Sequence, residues 1–348
     1  MSENNSVAID KELARGKFTD EMLADMRALI GTELRTESCV NNEYATRLAI
    51  MRFCEGIGDD NPLWTDALYA AKGPHGTLIA PPSFIFACLG SVQFGWPGLG
   101  GFHCETKMTF HKNIRVDDKI TARVIFDGFD GPIDDSKFGG RRIKDYVRQE
   151  YRNQDNELAA TFICSRMRFE RAEMQKRAKT RTESSPITLP HPWTDEQIAA
   201  IEEGILAEKP RGATPRYWDD VNVGDEIDVI TKGPLGLTDF IAFIAAGAAP
   251  IPRVAAHSVA LKRYYKHPKW AFRDPRTHAL EPVYSVHYND YAAKLQGAQI
   301  AYDVGIQRTS WQIHSLTNWM GDAGSLKAIT GQYRAHVYLS DVVRLGAR

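Results

Sequence analysis

The sequence predicts an α+β protein made of two copies of one unit, each a curved antiparallel sheet wrapped on a central helix. Two observations carry this reading. The chain repeats itself at an offset of 223 positions, which places Trp96 on Trp319, Gly98 on Gly321, Gly101 on Gly324, Ile114 on Val337 and Asp118 on Asp341. Each copy also runs helix, loop, helix and then strand-like segments. A chain of 348 residues with 43% hydrophobic and 25% charged residues can build two such cores.

The first copy occupies residues 1–170. TDEMLADMRALIG, from Thr19, has a capping residue followed by an amphipathic pattern and predicts a short helix. Residues 44–56 have apolar positions at helical spacing and run into the loop GIGDDNPLW. A second apolar helix is predicted after the paired prolines of IAPPSFIFACLG, since proline suits a first helical turn. The segments KITARVIFDG, DYVRQEYRN and ELAATFICSRMRF are rich in β-branched and aromatic residues. Asn153 to Asn156 supply a turn, so the last two form an antiparallel hairpin.

Residues 171–215 read as a linker that ends in a helix, where Thr194 and Gln197 have the spacing of a capping box. The second copy spans 216–348. It opens on WDDVNVGDEI and a helix-like LTDFIAFIAAGAAP, and an insertion at about 251–280 precedes the return of the repeat register. At that register the second sheet ends short of its last strands, and the open edge calls for a cover.

A formal net charge of −1 gives no bulk attraction for nucleic acid or an anionic membrane. No apolar run approaches the ~20 residues of a membrane helix. The N-terminus has no secretory signal pattern. The five cysteines (Cys39, Cys54, Cys88, Cys104 and Cys164) are scattered without metal-ligand spacing. The expectation is a cytoplasmic protein with reduced thiols and no bound metal.

FCEGIGDDNPLW…IAPPSF, followed by FHKNIRVDD and a hairpin ending ELAATF, resembles the N-terminal dehydratase domain of MaoC-like proteins. VHYNDYAAKLQG…AYDVGIQRTSW…LTNWMGD is similar to the C-terminal half of the same two-domain proteins. The resemblance implies a double hotdog fold, the second hotdog incomplete, and acyl-thioester chemistry, typically reversible hydration of an enoyl-CoA. It also implies a loop of the form D-x-N-P-x-H and a glycine at the start of the central helix, eighteen residues past the histidine.

Hydration of an enoyl thioester needs a base for water and an acid for the α carbon. It also needs a donor for the thioester oxygen, and a backbone N–H at a helix N-terminus is suited to that. The two copies hold different halves of this set. The first has Asp59 and Asn61, but Trp64 stands at the histidine position and Pro82, which has no N–H, at the glycine position. The second has His287 and Gly305, but Pro282 at the aspartate position.

His287 is therefore the expected acid/base and Gly305 the oxyanion donor. Asp303 is the first choice of carboxylate partner, with Asp290 an alternative. A site shared between copies would bring in Asp59, with Asn61 beside it. Tyr302, in the segment that reaches the thioester, is a substrate-binding candidate. The inserted ALKRYYKHPKWAFR carries Lys262, Arg263, Lys266, Lys269 and Arg273 among aromatic residues, a composition suited to the phosphates and adenine of coenzyme A.

The reading is a hydro-lyase acting on an acyl-CoA thioester, with coenzyme A entering as part of the substrate and no other cofactor. Homo- or hetero-oligomers with other hotdog subunits are the expected assembly. Two alternatives stand beside it: a non-catalytic or half-catalytic subunit completed by a partner chain, and an acyl-CoA thioesterase.

Overall fold

A computed structural model describes residues 16–37, 39–90, 96, 98–183, 188–248 and 254–347. The elements in chain order begin with helices α1 (Asp20–Ala28), α2 (Arg47–Ile57), α3 (Pro62–Thr65), α4 (Ala67–Lys72) and α5 (Ile85–Cys88, led by a 3-10 turn from Pro82). Strands β1 (Leu99–Phe110), β2 (Thr121–Asp135), β3 (Gly140–Arg152) and β4 (Leu158–Glu170) complete the first half. Helices α6 (Arg171–Glu183) and α7 (Asp195–Leu206) connect it to the second. There follow β5 (Ile227–Lys232), α8 (Leu237–Phe243), α9 (His257–Lys266), β6 (Ala271–Arg273), β7 (Leu280–Pro282), α10 (Asp290–Leu295), α11 (Gly305–Met320), β8 (Ala328–Gln332) and β9 (Val343–Ala347).

The local signals act as read. Thr19 and Thr46 cap α1 and α2 through their side chains, and Thr194 with Gln197 forms a complete capping box on α7. The β3–β4 hairpin turns at Asn153, whose side chain accepts from the amides of Asp155 (3.1 Å) and Glu157 (2.9 Å).

The antiparallel sheet runs β2-β3-β4-β1-β8, so the second half adds its own strand to the edge of the first half's sheet. Glu105 to Thr109 of β1 pair with Gln332 to Ala328. β9 pairs with β5, just as Glu33 bridges to Ile125 in the first half.

The repeat is written in hydrogen bonds. The bridge Ile79–Arg115 recurs 223 positions on as Tyr302–Tyr338. Ala80 N–H donates to the Ile114 carbonyl (2.9 Å), and Asp303 N–H to that of Val337 (2.8 Å). Asp118 accepts from the Arg115 amide as Asp341 does from that of Tyr338, each at 2.7 Å.

The halves differ in their central helices. α11 has sixteen residues, most of them buried, whereas among the described residues the first half has at this place a 3-10 turn and the single turn of α5. Whether Trp96 ends a helix turns on residues 91–95, which lie outside the described residues; its ring packs against Phe126 of the sheet. Residues 171–183, read as linker, are helical and continue directly from β4. The insertion forms α9 and the β6–β7 pair, and its residues 251–253 lie outside the described set.

The main core lies between the sheet's concave face and the helices. Phe86 meets Phe162 edge-on at 5.0 Å, and Phe53 meets Phe84 at 5.7 Å. Tyr151 is fully buried, and its hydroxyl donates to the Leu89 carbonyl at 2.7 Å, tying β3 to the end of α5. Tyr151→Phe leaves that carbonyl without its donor and is expected to cost about 1–2 kcal/mol, read from urea denaturation midpoints.

Candidate functional site

The pseudo-symmetry generates two equivalent pockets, and their contents differ. Where the first half places Trp64, Ile79, Ala80 and Pro82, the second places His287, Tyr302, Asp303 and Gly305. The first pocket is nearly closed, at about 30 Å³; the second encloses about 200 Å³. The buried indole of Trp64 occupies space that the smaller imidazole leaves open.

His287 ends a 3-10 turn and is 8% exposed. Its Nδ1 lies 2.8 Å from the Tyr302 carbonyl, an acceptor, so Nδ1 carries the proton and Nε2 keeps its lone pair. Burial drives the imidazolium form down to a pKa of about 4, with the hydrogen bond to Tyr302 opposing. The ring is therefore a neutral imidazole at pH 7.

Gly305 opens α11, and Val304 before it gives no side-chain cap. The N–H of this first turn is one of the helix's orphan donors, at the positive end of a sixteen-residue dipole. A Cβ on Gly305 would collide with the ring of His103 on β1, so the helix can approach the sheet this closely only with glycine here. Sequence reasoning passed over His103, a lone histidine in a strand. Only the packing of α11 on β1 brings it to the cavity.

Asp303 and Tyr302 line the same cavity. Asp303 is not a free carboxylate: Arg308, one turn along α11, sits 2.5 Å from its Oδ2, and Oδ1 accepts from the Val337 amide. Burial raises its pKa, while Arg308 opposes the shift. From the insertion, Arg263, Tyr264, Lys269 and Trp270 reach the cavity wall. Lys262 is exposed and does not. Asp290 is also exposed; its Oδ1 accepts from the Ala301 amide at 2.8 Å, which fixes the loop after α10.

Asp59 and Asn61 belong to the other half's network and line neither cavity. Asp59, 3% exposed, accepts from Trp64 Nε1 and the Asn61 amide, each at 3.1 Å; Asn61 caps α3. Its Oδ1 is 3.5 Å from Nε2 of His314 on α11, whose Nδ1 accepts from the Lys232 ammonium at 3.0 Å. Asp59 lies outside the cavity that holds His287. Asp59 instead braces the first half against the second half's helix. Among the described residues, no group of three or more His, Cys, Asp or Glu is placed to hold a metal ion.

The sequence model of the FAS1-like, dehydratase domain region family matches residues 28–162. Over those residues the chain is similar to the dehydratase region of that family. The chain is 34% identical over 84 residues to a UPF0336 protein of Streptomyces coelicolor, covering 22% of the chain and 56% of that protein. A UPF0336 protein of Streptomyces avermitilis is 28% identical over 125 residues, 34% of this chain and 79% of its own length. Both matches span only part of the chain.

Among solved structures, a MaoC-like dehydratase superposes with a TM-score of 0.59 at 16% identity, over 92% of this chain and 88% of that one. A MaoC domain dehydratase from Chloroflexus aurantiacus gives 0.50 at 16% identity, over 94% and 81%. These two likenesses establish the double hotdog fold along nearly the whole chain. Among the described residues, no helix is long and apolar enough to cross a membrane.

Burial raises the pKa of Asp59 from 3.8 to about 6. A carboxyl with a raised folded pKa makes the folded state bind the extra proton between about pH 4 and pH 6, so stability falls as pH rises through that window. Relative to Asp59→Asn, the wild type is expected to lose up to about 3 kcal/mol between those limits, measured by urea denaturation at each pH.

Proposed function

We propose that the protein is a hydro-lyase that adds water reversibly to an enoyl-CoA thioester, with the working site in the second half. The observation that carries this reading is the joint placement of His287 and Gly305 on one open cavity, beside an equivalent cavity closed by Trp64 and Pro82.

His287 has the protonation state the reaction needs. Nε2 takes a proton from water as the water oxygen bonds to the β carbon. The same imidazolium returns that proton to the α carbon, so one group does both transfers and no proton is gained or lost overall. Negative charge gathers on the thioester oxygen between these steps, and the Gly305 N–H at the helix start is its donor. Asp303, held by Arg308, positions the turn rather than moving a proton. The carbonyl of Tyr302 fixes the imidazole tautomer. Arg263, Lys269 and Trp270, half-buried at the cavity wall, suit the phosphates and adenine of coenzyme A.

A panel of enoyl-CoA thioesters tests the reaction. Loss of the conjugated absorbance without release of free thiol is the expected result; thiol release would identify a thioesterase. No turnover of any thioester, with the protein folded, would favour the subunit that needs a partner chain. His287→Ala is expected to lower kcat/KM by about 10²–10⁴, with an unchanged thermal midpoint as the control for folding.

The pH profile gives a second check. The base works when deprotonated, and its pKa in the free protein is about 4. Activity is expected to hold as pH falls through the ordinary histidine range and to be lost only near pH 4. A profile that falls at pH 6 to 7 would place another group in the role.

A further inference from the structure

The turn that carries His287 also holds an orphaned hydroxyl. Tyr284 lies in the same 3-10 turn, Val283–His287, and both side chains line the open cavity. Their rings meet edge to face with centroids 4.9 Å apart. Part of Tyr284 is exposed, but its hydroxyl oxygen is buried and, among the described residues, has no hydrogen-bond partner. Buried polar groups in folded proteins are as a rule paired, so one left open beside a cavity is a candidate contact for a ligand atom. The hydroxyl of Ser285, next in the chain, is also unpartnered, but Ser285 does not line the cavity.

The repeat shows what this position does when it serves the fold. Tyr284 falls 223 positions after Asn61, whose Oδ1 accepts from the Leu63 amide at 3.0 Å and caps α3. The turn at Val283–His287 has no such side-chain cap, so the second half has exchanged a local bond for an aromatic side chain at the cavity. Burial holds the Tyr284 pKa well above the ordinary tyrosine value, which keeps the hydroxyl a neutral donor at any working pH. The carboxylates considered for a role beside His287 are committed elsewhere. Asp303 is held by Arg308 and the Val337 amide, Asp290 by the Ala301 amide, and Asp59 by Trp64 and the Asn61 amide.

We propose that Tyr284 is a further catalytic residue, whose hydroxyl hydrogen-bonds the oxygen that joins the β carbon in hydration and leaves it in dehydration. This rests on the hydratase reading above and supplies the second contact that His287 needs there. Water gives one proton to Nε2 of His287, and the hydrogen bond from Tyr284 to the same oxygen fixes its place over the β carbon. In the reverse direction negative charge gathers on that oxygen as its bond to the β carbon breaks. The Tyr284 O–H donates to it until the imidazolium of His287 delivers the proton taken from the α carbon. Tyr284 keeps its own proton throughout, so the balance of the reaction is unchanged.

Tyr284→Phe removes the hydroxyl and keeps the ring. Hydration of enoyl-CoA is expected to slow about ten- to a hundredfold in kcat, with KM little changed. The thermal midpoint is expected to stay level or rise, since no partner within the protein is lost. A variant that is clearly less stable, or does not fold, would assign the hydroxyl to the fold and overturn the proposal. Calorimetry gives a readout without turnover. In a His287→Ala background, 3-hydroxybutyryl-CoA is expected to bind about three to ten times more tightly than butyryl-CoA. Adding Tyr284→Phe should erase that preference and leave butyryl-CoA binding unchanged. Weakening of both ligands alike would place the hydroxyl on the thioester or in the fold, and overturn the proposal. Equal hydration rates for wild type and Tyr284→Phe would overturn it while leaving the hydratase reading intact. A wild type that hydrates no enoyl-CoA would overturn that reading, and this proposal with it.

Discussion

The site depends on one constraint: α11 must lie across the first half's sheet with its N-terminus over β1. Pairing of β8 with β1 fixes the height of the second half along that sheet. The hydroxyls of Thr106 and Thr309 meet at 3.2 Å beneath the helix, and Tyr333 reaches Thr309 at 2.5 Å from the same side. Each of these polar groups is satisfied only in this register, and a slip of one residue would turn the strand's faces over. Gly305 permits the close approach to His103. The Gly305 N–H, the proposed oxyanion donor, and the wall facing it are thus set by the same packing that joins the halves.

On the proposed reading the first half's pocket is not needed for chemistry, and its residues serve to join the halves. Trp64 fills the pocket and donates to Asp59; Asp59 faces His314 and Lys232 from the other half. Burial raises the pKa of Asp59 and lowers those of Lys232 and His314, so each is pressed toward its neutral form. The charges attract, yet the desolvation of three such groups is large. The cluster adds more to the choice of one arrangement of the halves than to net stability. Pro82 belongs to the same history: without an N–H it cannot serve a thioester, and the helix it opens is reduced to about two turns.

Much of this was legible in the sequence because the repeat constrains both halves at once. An offset found in tryptophans and glycines reappears in the bridges at Ile79 and Tyr302, and the pairing of Trp64 with His287 and of Pro82 with Gly305 follows from it. What escaped has a common cause. RAEMQKRAKTRTE has no apolar stripe, so it reads as linker, although it is the helix that continues β4. ELAATFICSRMRF reads as a strand, but its pattern gives no sign that Arg166 and Arg168 are buried, since arginines are mostly exposed. Only closure of the second half over that face encloses them. Lys262 and Arg263 look equivalent in the sequence, but the pitch of α9 turns one to solvent and the other to the cavity.

On the proposed reading, a division of labour explains why the first half persists without an acid–base group of its own. The second half brings His287 and Gly305; β1 and β4 of the first bring His103, Gly101, Arg166 and Arg168 to the same cavity. Neither set forms a pocket alone, since a concave sheet needs a helix laid over it and a helix N-terminus needs a wall. Substitution at Trp64 or Pro82 touches the closed pocket, whereas substitution at the far end of β1 and β4 touches the open one. The two ends of the first sheet are therefore under different constraints: one must hold the halves together, and the other must shape what enters the site.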